Sequence, residues 1–247
     1  MDPGAYAEMY HQEEVHWWFR GRRDVIWALI GRAGLPPSPR LLDAGCGTGR
    51  NLVEFGALGP ATGVDPSADA VAFCHDRGLA DVQVAGLEAL PFDDGRFDLL
   101  LACDVLEHVA DNAGALGELW RVAAPGAALV LTVPAYQWLW TDHDVALHHL
   151  RRYTRRPLCR LVVEAGWRPV QATYFNSLLL PVVAAARLAA RRSNRPGRTD
   201  LGRTPAGLNG ALELPLRLEA AAIRRGARLP AGVSVGMVCT KAPSAGS

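Results

Sequence analysis

A glycine-rich run that follows an acidic residue is the segment whose residue types point most directly to chemistry. It reads LLDAGCGTG at positions 41–49. The apolar residues before Asp43 are typical of a buried strand, and glycines lack the side chains that would keep a ligand away from the backbone of the turn. The start of a helix just beyond would add free amide groups, so the sequence predicts a nucleotide-like cofactor here.

This turn does not match the fingerprint of dinucleotide-binding proteins. The pattern G-x-G-x-x-G would need glycine at position 50, which is Arg50, and Asp43 at the strand end would repel a pyrophosphate. A carboxylate in this place favours a ligand with a cationic end. S-adenosylmethionine has an ammonium and a sulfonium group. We therefore expect this cofactor, and a nicotinamide-dependent oxidoreductase is the less favoured alternative.

A second acidic residue closes the next apolar run, in the sequence GVDPS at positions 63–67. A carboxylate at the end of a parallel strand can accept hydrogen bonds from both hydroxyls of a ribose. We predict that Asp65, with Pro66 beside it, binds the sugar of the cofactor. Taken alone, an Asp before Pro-Ser is also typical of a turn or a helix N-cap.

Four motifs in order resemble those of the class I S-adenosylmethionine-dependent methyltransferases, most closely the ubiquinone and menaquinone biosynthesis branch with its methyltransferase domain of type 11. They are the glycine turn, Asp65, LPFDDGRFDL at 90–99 and DVLEHV at 104–109. The resemblance implies methyl transfer to a small-molecule acceptor. It also implies a Rossmann-like α/β fold, in which a seven-stranded, mostly parallel sheet has an antiparallel last strand and the cofactor lies across the strand ends.

The resemblance also assigns cofactor contacts, residue by residue, to Asp43, Gly45, Cys46, Gly47, Leu87, Asp104 and Leu106. The glycine turn is expected at the methionine part, position 87 at the adenine edge, and positions 104 and 106 at the methyl end. Gly86 departs from the pattern, because many relatives carry there an Asp that holds the adenine amino group. That contact is expected from the backbone, from Glu88, or not at all.

The N-terminal sequence HWWF at 16–19, followed by two arginines at 22 and 23, is similar to a signature of bacterial relatives from natural-product and cell-envelope gene clusters. Phe19 is a candidate to stack on the sulfonium, and Arg22 is a candidate to pair with the cofactor carboxylate. Packing of these aromatic residues in the core is the alternative.

The segment 134–153 leaves the predicted fifth strand at the edge where ligands of open α/β sheets bind. It holds three His, two Asp and two Arg, and is the best candidate for the acceptor site. The candidate acceptor contacts are Tyr136, Trp140, Asp144, Arg152 and Tyr153.

Methyl transfer is an in-line displacement, so the acceptor must be aligned with the methyl carbon, and a hydroxyl acceptor must lose its proton. His143 and His149 are candidate bases. His108 is a third, with packing or capping as its alternative role. A metal held by His143, Asp144 and His149 is compatible with the donor types, but the spacing matches no recognised ligand pattern, and we expect no metal.

Apolar runs alternate with helical patterns along the chain, which is typical of an α/β fold with a parallel sheet. Strands are predicted at 40–43, 61–64, 82–85, 97–103, 127–133, 168–174 and 233–240, and helices at 6–33, 51–58, 68–77, 114–124 and 156–164. We expect one domain over residues 1–247. It comprises a helical cap at 1–35, a core at 36–174 and 231–247, and a helical insertion or lid at 175–230.

Charge is uneven along the chain, since residues 151–228 hold 16 Arg against 4 acidic residues. This basic third indicates either ordinary solvation or an anionic or lipid-like acceptor. The insertion is expected to act as a lid, a homodimer interface or a peripheral membrane contact. No nucleic-acid partner is expected. Without an apolar leader we expect a cytoplasmic enzyme, and a non-catalytic, membrane-associated cofactor-binding protein is the alternative from another class.

Overall fold

The computed structural model describes residues 3–192 and 206–243. In that part of the chain seven strands form one sheet, with bounds Leu41–Ala44 (β1), Ala61–Asp65 (β2), Val82–Val84 (β3), Phe97–Cys103 (β4), Ala123–Pro134 (β5), Arg168–Phe175 (β6) and Ser234–Thr240 (β7). Their order is β3-β2-β1-β4-β5-β7-β6. The first five strands pair in parallel, and β7 runs antiparallel to both of its neighbours. The predicted fold class is confirmed.

Helices cover both faces of this sheet. Their bounds are Pro3–Val15 (α1), Trp17–Ile30 (α2), Arg50–Phe55 (α3), Ala68–Asp76 (α4), Asn112–Val122 (α5), Asp142–Ala146 (α6), Arg155–Glu164 (α7), Leu180–Arg192 (α8) and Ala206–Arg224 (α9). Strand β4 shows why both faces need a cover. Leu99 and Leu101 pack in one buried layer with α2, α3 and α9, while Leu100 and Ala102 pack in the other with α5 and α7.

The N-terminal segment forms two helices where the sequence pattern predicts one. The break lies at His16, which has extended backbone angles and whose imidazole Nδ1 accepts a hydrogen bond from the amide of Trp18 at 3.2 Å. A side chain that caps a free amide in this way begins a new helix. The break turns α1 away from α2, so that α1 packs beside α3 and α4 at the C-terminal edge of the sheet.

The predicted insertion lies between β6 and β7 and contains α8 and α9. Helix α9 packs along α2, and the contact is close because Gly21 has no side chain. A Cβ at that position would lie 2.5 Å from Cδ1 of Leu216. Residues 193–205, which belong to the predicted insertion, lie outside the described residues. Within the described helices, none combines the length and the apolar character needed to cross a membrane.

Candidate functional site

A cavity of about 560 Å³ lies at the C-terminal ends of β1, β2 and β4, under helices α1, α2 and α8. Its volume falls within the range of about 300–1,000 Å³ that is usual for small-molecule sites. Most of the residues predicted from the sequence line this one cavity: Phe19, Arg22, Gly45, Cys46, Gly47, Asp65, Pro66, Asp104, His108, His143, His149 and Arg152.

The glycine turn after β1 needs its glycines for both conformation and space. Gly45 and Gly47 have φ values of +81° and +55°, a region that residues with side chains adopt at a cost. A Cβ at Gly45 would lie 2.4 Å from Val105, and one at Gly47 would lie 3.0 Å from the methyl group of Met9. The turn therefore exposes bare backbone to the cavity, as a nucleotide-like ligand requires.

Asp65 ends β2 and is tied to the glycine turn. Its Oδ2 accepts a hydrogen bond from the amide of Gly47 at 2.9 Å, and its Oδ1 accepts one from the amide of Ser67 at 3.0 Å. Burial raises the pKa of Asp65, while these two bonds lower it. Each carboxylate oxygen keeps a second lone pair, so the side chain can still accept hydrogen bonds from ribose hydroxyls.

Asp43 lies behind the turn and does not line the cavity itself. Its side chain is fully buried, and neither carboxylate oxygen has a hydrogen-bond partner among the described residues. Burial raises the pKa of Asp43 to about 7, with Arg22 opposing the rise and Glu13 adding to it. A carboxylate kept without donors is a place where a nearby cation is favourable.

Arg22 and Asp104 form an ion pair across the cavity wall. Nη1 of Arg22 donates to Oδ2 of Asp104 at 2.5 Å, and the hydroxyl of Thr132 donates to Oδ1 at 3.2 Å. Asp104 has a φ of +56°, which is uncommon for a residue with a side chain and occurs often at ligand sites. Arg22 thus contacts the loop predicted at the methyl end of the cofactor.

Helix α1 contributes to the cavity, although its sequence carries no local signal of a site and its role could not be predicted. Glu13 is buried in the cavity wall, where it accepts a hydrogen bond from the hydroxyl of Thr48 and forms an ion pair with Arg77 at 3.2 Å. Burial raises the pKa of Glu13. Tyr6 and Met9 of the same helix also line the cavity, so α1 covers the cofactor end.

The other end of the cavity holds a group of histidines around Glu107. The rings of His108 and His149 meet edge to face, with 4.7 Å between centroids. Burial, together with the neighbouring His149, lowers the pKa of His108 to about 4, so this imidazole is neutral at pH 7. Glu107, which sequence analysis did not select, is 1% exposed, and burial raises its pKa well above the ordinary value.

His149 is oriented by a carboxylate behind it. Its Nδ1 lies 2.8 Å from Oδ1 of Asp144. Nε and Nη2 of Arg152 donate to the same carboxylate at 2.8 and 3.0 Å. Burial alone would raise the pKa of Asp144, but these bonds outweigh it and hold that pKa below its usual range. Asp144 is therefore ionised, and Nε2 of His149 is the nitrogen left for chemistry.

Several predicted contacts lie outside the cavity lining. Leu87 and Leu106 are buried in the core and do not line the cavity. Asp144 is fully buried under His149 and Arg152. The three aromatic candidates of the acceptor loop also lie outside the lining. Tyr136 stacks on the ring of Tyr174, and the hydroxyl of Tyr153 donates a hydrogen bond to the carbonyl of Leu106. Trp140 is partly buried.

Comparison with known proteins shows similarity to methyltransferases and to an uncharacterized protein. The family model described as "Methyltransferase domain" matches residues 42–131. Demethylmenaquinone methyltransferase of Roseiflexus castenholzii is 39% identical over 175 residues, which is 58% of this chain and 74% of that protein. An uncharacterized 37.1 kDa protein in transposon TN4556 of Streptomyces fradiae is 30% identical over 191 residues, which is 69% of this chain.

Among solved structures, a putative methyltransferase of Haloferax volcanii in complex with the Trm112 methyltransferase activator has a TM-score of 0.63 at 18% identity. The match covers 99% of this chain and 97% of that one, and it shows a shared fold. The chain spans between a third and just over half of the length of the first curated relatives it matches, with 55% of the transposon protein and 35% of a rice cycloartenol methyltransferase.

Proposed function

Because this chain belongs to the class I S-adenosylmethionine-dependent methyltransferases, we propose that it transfers the cofactor's methyl group to a small-molecule acceptor in the cavity described above. The observation that carries the proposal is that one cavity joins a bare glycine turn, with Asp65 beside it, to a cluster of oriented histidines. A protein that only bound the cofactor would have no use for the second end.

The residues present fit S-adenosylmethionine at the first end. The backbone of Gly45 and Gly47 would hold the methionine part, Asp65 would hold the ribose hydroxyls, and the unpartnered carboxylate of Asp43 would lie behind the cationic groups. When bound, S-adenosylmethionine supplies an electrophilic methyl group on a positively charged sulfur. Asp104, held in place by Arg22, would face the methyl end.

At the second end, the chain's own residues prepare the acceptor. Asp144 fixes the ring of His149 through Nδ1 and leaves Nε2 without this contact, and His108 beside it is neutral at pH 7. Either imidazole can accept a proton from an acceptor hydroxyl. Arg152 is committed to Asp144, and Arg187 of α8 lies close to the same carboxylate, at 3.9 Å, so the cavity wall is cationic where an acidic acceptor would lie.

Helix α8 would act as a lid over the acceptor end. Val183, Ala186 and Arg187 line the cavity, while Val182 and Leu188 point outwards and are 67% and 48% exposed. We extend the proposal to an apolar or lipid-like acceptor that enters beside α8. The apolar outer face would then contact a membrane surface without spanning it. The name of the Roseiflexus relative, which refers to demethylmenaquinone, supports an apolar acceptor.

Isothermal titration calorimetry tests the cofactor end. We expect S-adenosylmethionine to bind and NADH not to bind. Asp65→Ala should weaken binding at least tenfold, which corresponds to about 1.4 kcal/mol. Asp81→Ala, at an exposed carboxylate just before β3 and therefore at the opposite end of the paired strands from Asp65, is the control. NADH binding, or equal affinity of the Asp65 variant and the wild type, would reject the proposed site.

Transfer of a labelled methyl group to an acceptor tests the activity itself. The protein is incubated with S-adenosylmethionine labelled in the methyl group and with candidate phenolic, quinol and lipid-linked acceptors, and organic extracts are counted. We expect labelled product with at least one apolar acceptor, and His149→Ala should reduce the rate while cofactor affinity is unchanged. Cofactor binding without label transfer to any acceptor would favour the alternative, a non-catalytic binding protein.

A further inference from the structure

The side chains around Glu107 form a group that the methyl-transfer proposal does not fully use. One ligand atom from each of Glu107, His108 and His149 lies within 4.8 Å of the other two. Two imidazole nitrogens and a carboxylate oxygen on one wall of a cavity are a common ligand set for divalent transition metals that keep open coordination positions. All three residues line the cavity.

The carboxylate of Glu107 gives an independent reason to expect a cation. It is 1% exposed, and neither of its oxygens has a hydrogen-bond partner among the described residues. Buried polar atoms without a partner are rare in folded proteins, and those that occur often mark a bound ion. Arg22 and Arg152, whose charges act on Glu107, are each paired with another carboxylate, Asp104 and Asp144.

Both imidazoles have one nitrogen engaged and the other available. Nδ1 of His149 is bonded to Asp144, which leaves Nε2, and the backbone of His148 takes a hydrogen bond from the ring of His108. A carboxylate or carbonyl behind a histidine is the usual support of a metal ligand, because it fixes the ring and raises its basicity. Asp144 is itself held by Arg152 and by the amide of Thr141.

We propose that Glu107, His108 and His149 bind one divalent transition-metal ion such as Zn²⁺ or Co²⁺, and that its open positions take oxygen atoms of the acceptor. This inference rests on the proposed function, and it narrows the acceptor to molecules with an ionisable hydroxyl. The ion would lower the pKa of a hydroxyl that coordinates it, in place of an imidazole base, and the hydroxyl proton would pass to solvent. The resulting oxygen would form the bond to the methyl carbon while the bond from that carbon to the sulfonium sulfur breaks and S-adenosylhomocysteine leaves. The site differs from the sequence-based alternative in using Glu107 and His108 in place of His143 and Asp144.

The test uses the full chain after treatment with a chelator and dialysis. Co²⁺ is added in steps while the visible absorption is recorded, because the band position reports coordination by protein ligands, and Zn²⁺ binding is measured by calorimetry. We expect one equivalent of either ion per chain. Glu107→Gln and His149→Ala should each weaken binding at least tenfold. Glu107→Gln replaces the ligating carboxyl group by an amide of nearly the same shape, so this variant is expected to fold.

His75→Ala is the matched control, because His75 is an exposed histidine on α4, away from the cavity. It should leave the cobalt spectrum unchanged. Absence of a cobalt band in the wild type, or equal loss of affinity in His75→Ala and His149→Ala, would overturn the proposal. S-adenosylmethionine binding is measured on the same samples without metal. If the cofactor binds and the metal does not, the metal site fails and the proposed function stands.

Discussion

The buried carboxylate of Asp43 leads to a prediction about stability. Burial raises its pKa from 3.8 to about 7, so in the folded protein without ligand it holds its proton over a pH range in which the unfolded chain has lost it. Where the folded state binds more protons than the unfolded state, the free energy of unfolding falls as pH rises. At 1.36 kcal/mol per pKa unit, the free energy of unfolding falls by about 4 kcal/mol over the whole titration of Asp43. Roughly 2 to 3 kcal/mol of this loss occurs between pH 5 and pH 8.

Asp43→Asn removes the titration and keeps the shape of the side chain. The variant should therefore gain stability relative to the wild type as pH rises, by between 2 and 3 kcal/mol from pH 5 to pH 8. Urea unfolding of both proteins at the two pH values, followed by circular dichroism, gives the difference. Titrating groups that do not interact with Asp43 occur in both proteins and cancel, so the remaining difference belongs to Asp43 together with Glu13 and Asp65, the carboxylates that act on its pKa.

The same stability difference at pH 5 and pH 8 would refute this reasoning, because it would mean that Asp43 has no raised pKa in the folded state. A saturating amount of S-adenosylmethionine is a further check. A cationic ligand stabilises the ionised carboxylate, so at pH 8 it should stabilise the wild type more than Asp43→Asn.

Three further variants test other contacts of the cavity. Gly45→Ala places a methyl group 2.4 Å from Val105 at a φ of +81°, so calorimetry should show at least a tenfold loss of cofactor affinity, and an unchanged affinity would contradict the bare-backbone role. Arg22→Met leaves Asp104 without its ion-pair partner and should cost roughly 2 kcal/mol in urea unfolding, since Asp104 is partly exposed; no loss would mean that the pair has no net effect. The carboxylate of Glu88 lies 3.0 Å from where a Cβ at position 86 would be, and it is a candidate to hold the adenine amino group. Glu88→Gln should then weaken cofactor binding threefold or more, measured by calorimetry. Equal affinity would leave that contact to the backbone.

The sheet could be predicted from the sequence largely because its strands are buried on both faces. Strand β4 was predicted to the residue, since the run from Phe97 to Cys103 is apolar except at Asp98. Strand β5 begins earlier than predicted, at Ala123, because its first residues pair with the start of β4 and carry no apolar run of their own. Pairing between strands is not visible in a local pattern.

Contacts between distant segments limited the prediction of the site. Asp144 was expected to touch the acceptor, but its carboxylate is used by His149 and Arg152, and no local pattern shows which of two nearby polar residues supports the other. Glu13 was not selected, because it lies 35 residues before Thr48, its partner in the glycine turn. Glu107 was passed over because nothing in the sequence shows that its oxygens are buried without donors.

Helix α1 covers the cofactor end, and ion pairs contribute to its attachment, through Glu13 and Glu14 to Arg77 and through Glu14 to Arg50. Under the proposed function, a spent nucleoside held beneath α1 would leave more easily once these pairs separate, and this opening step would be independent of the acceptor. Salt screens the exposed pairs of Glu14 far more than the buried pair of Glu13 with Arg77. Turnover limited by this exit should therefore become only slightly faster at moderate ionic strength, even where acceptor binding is unaffected.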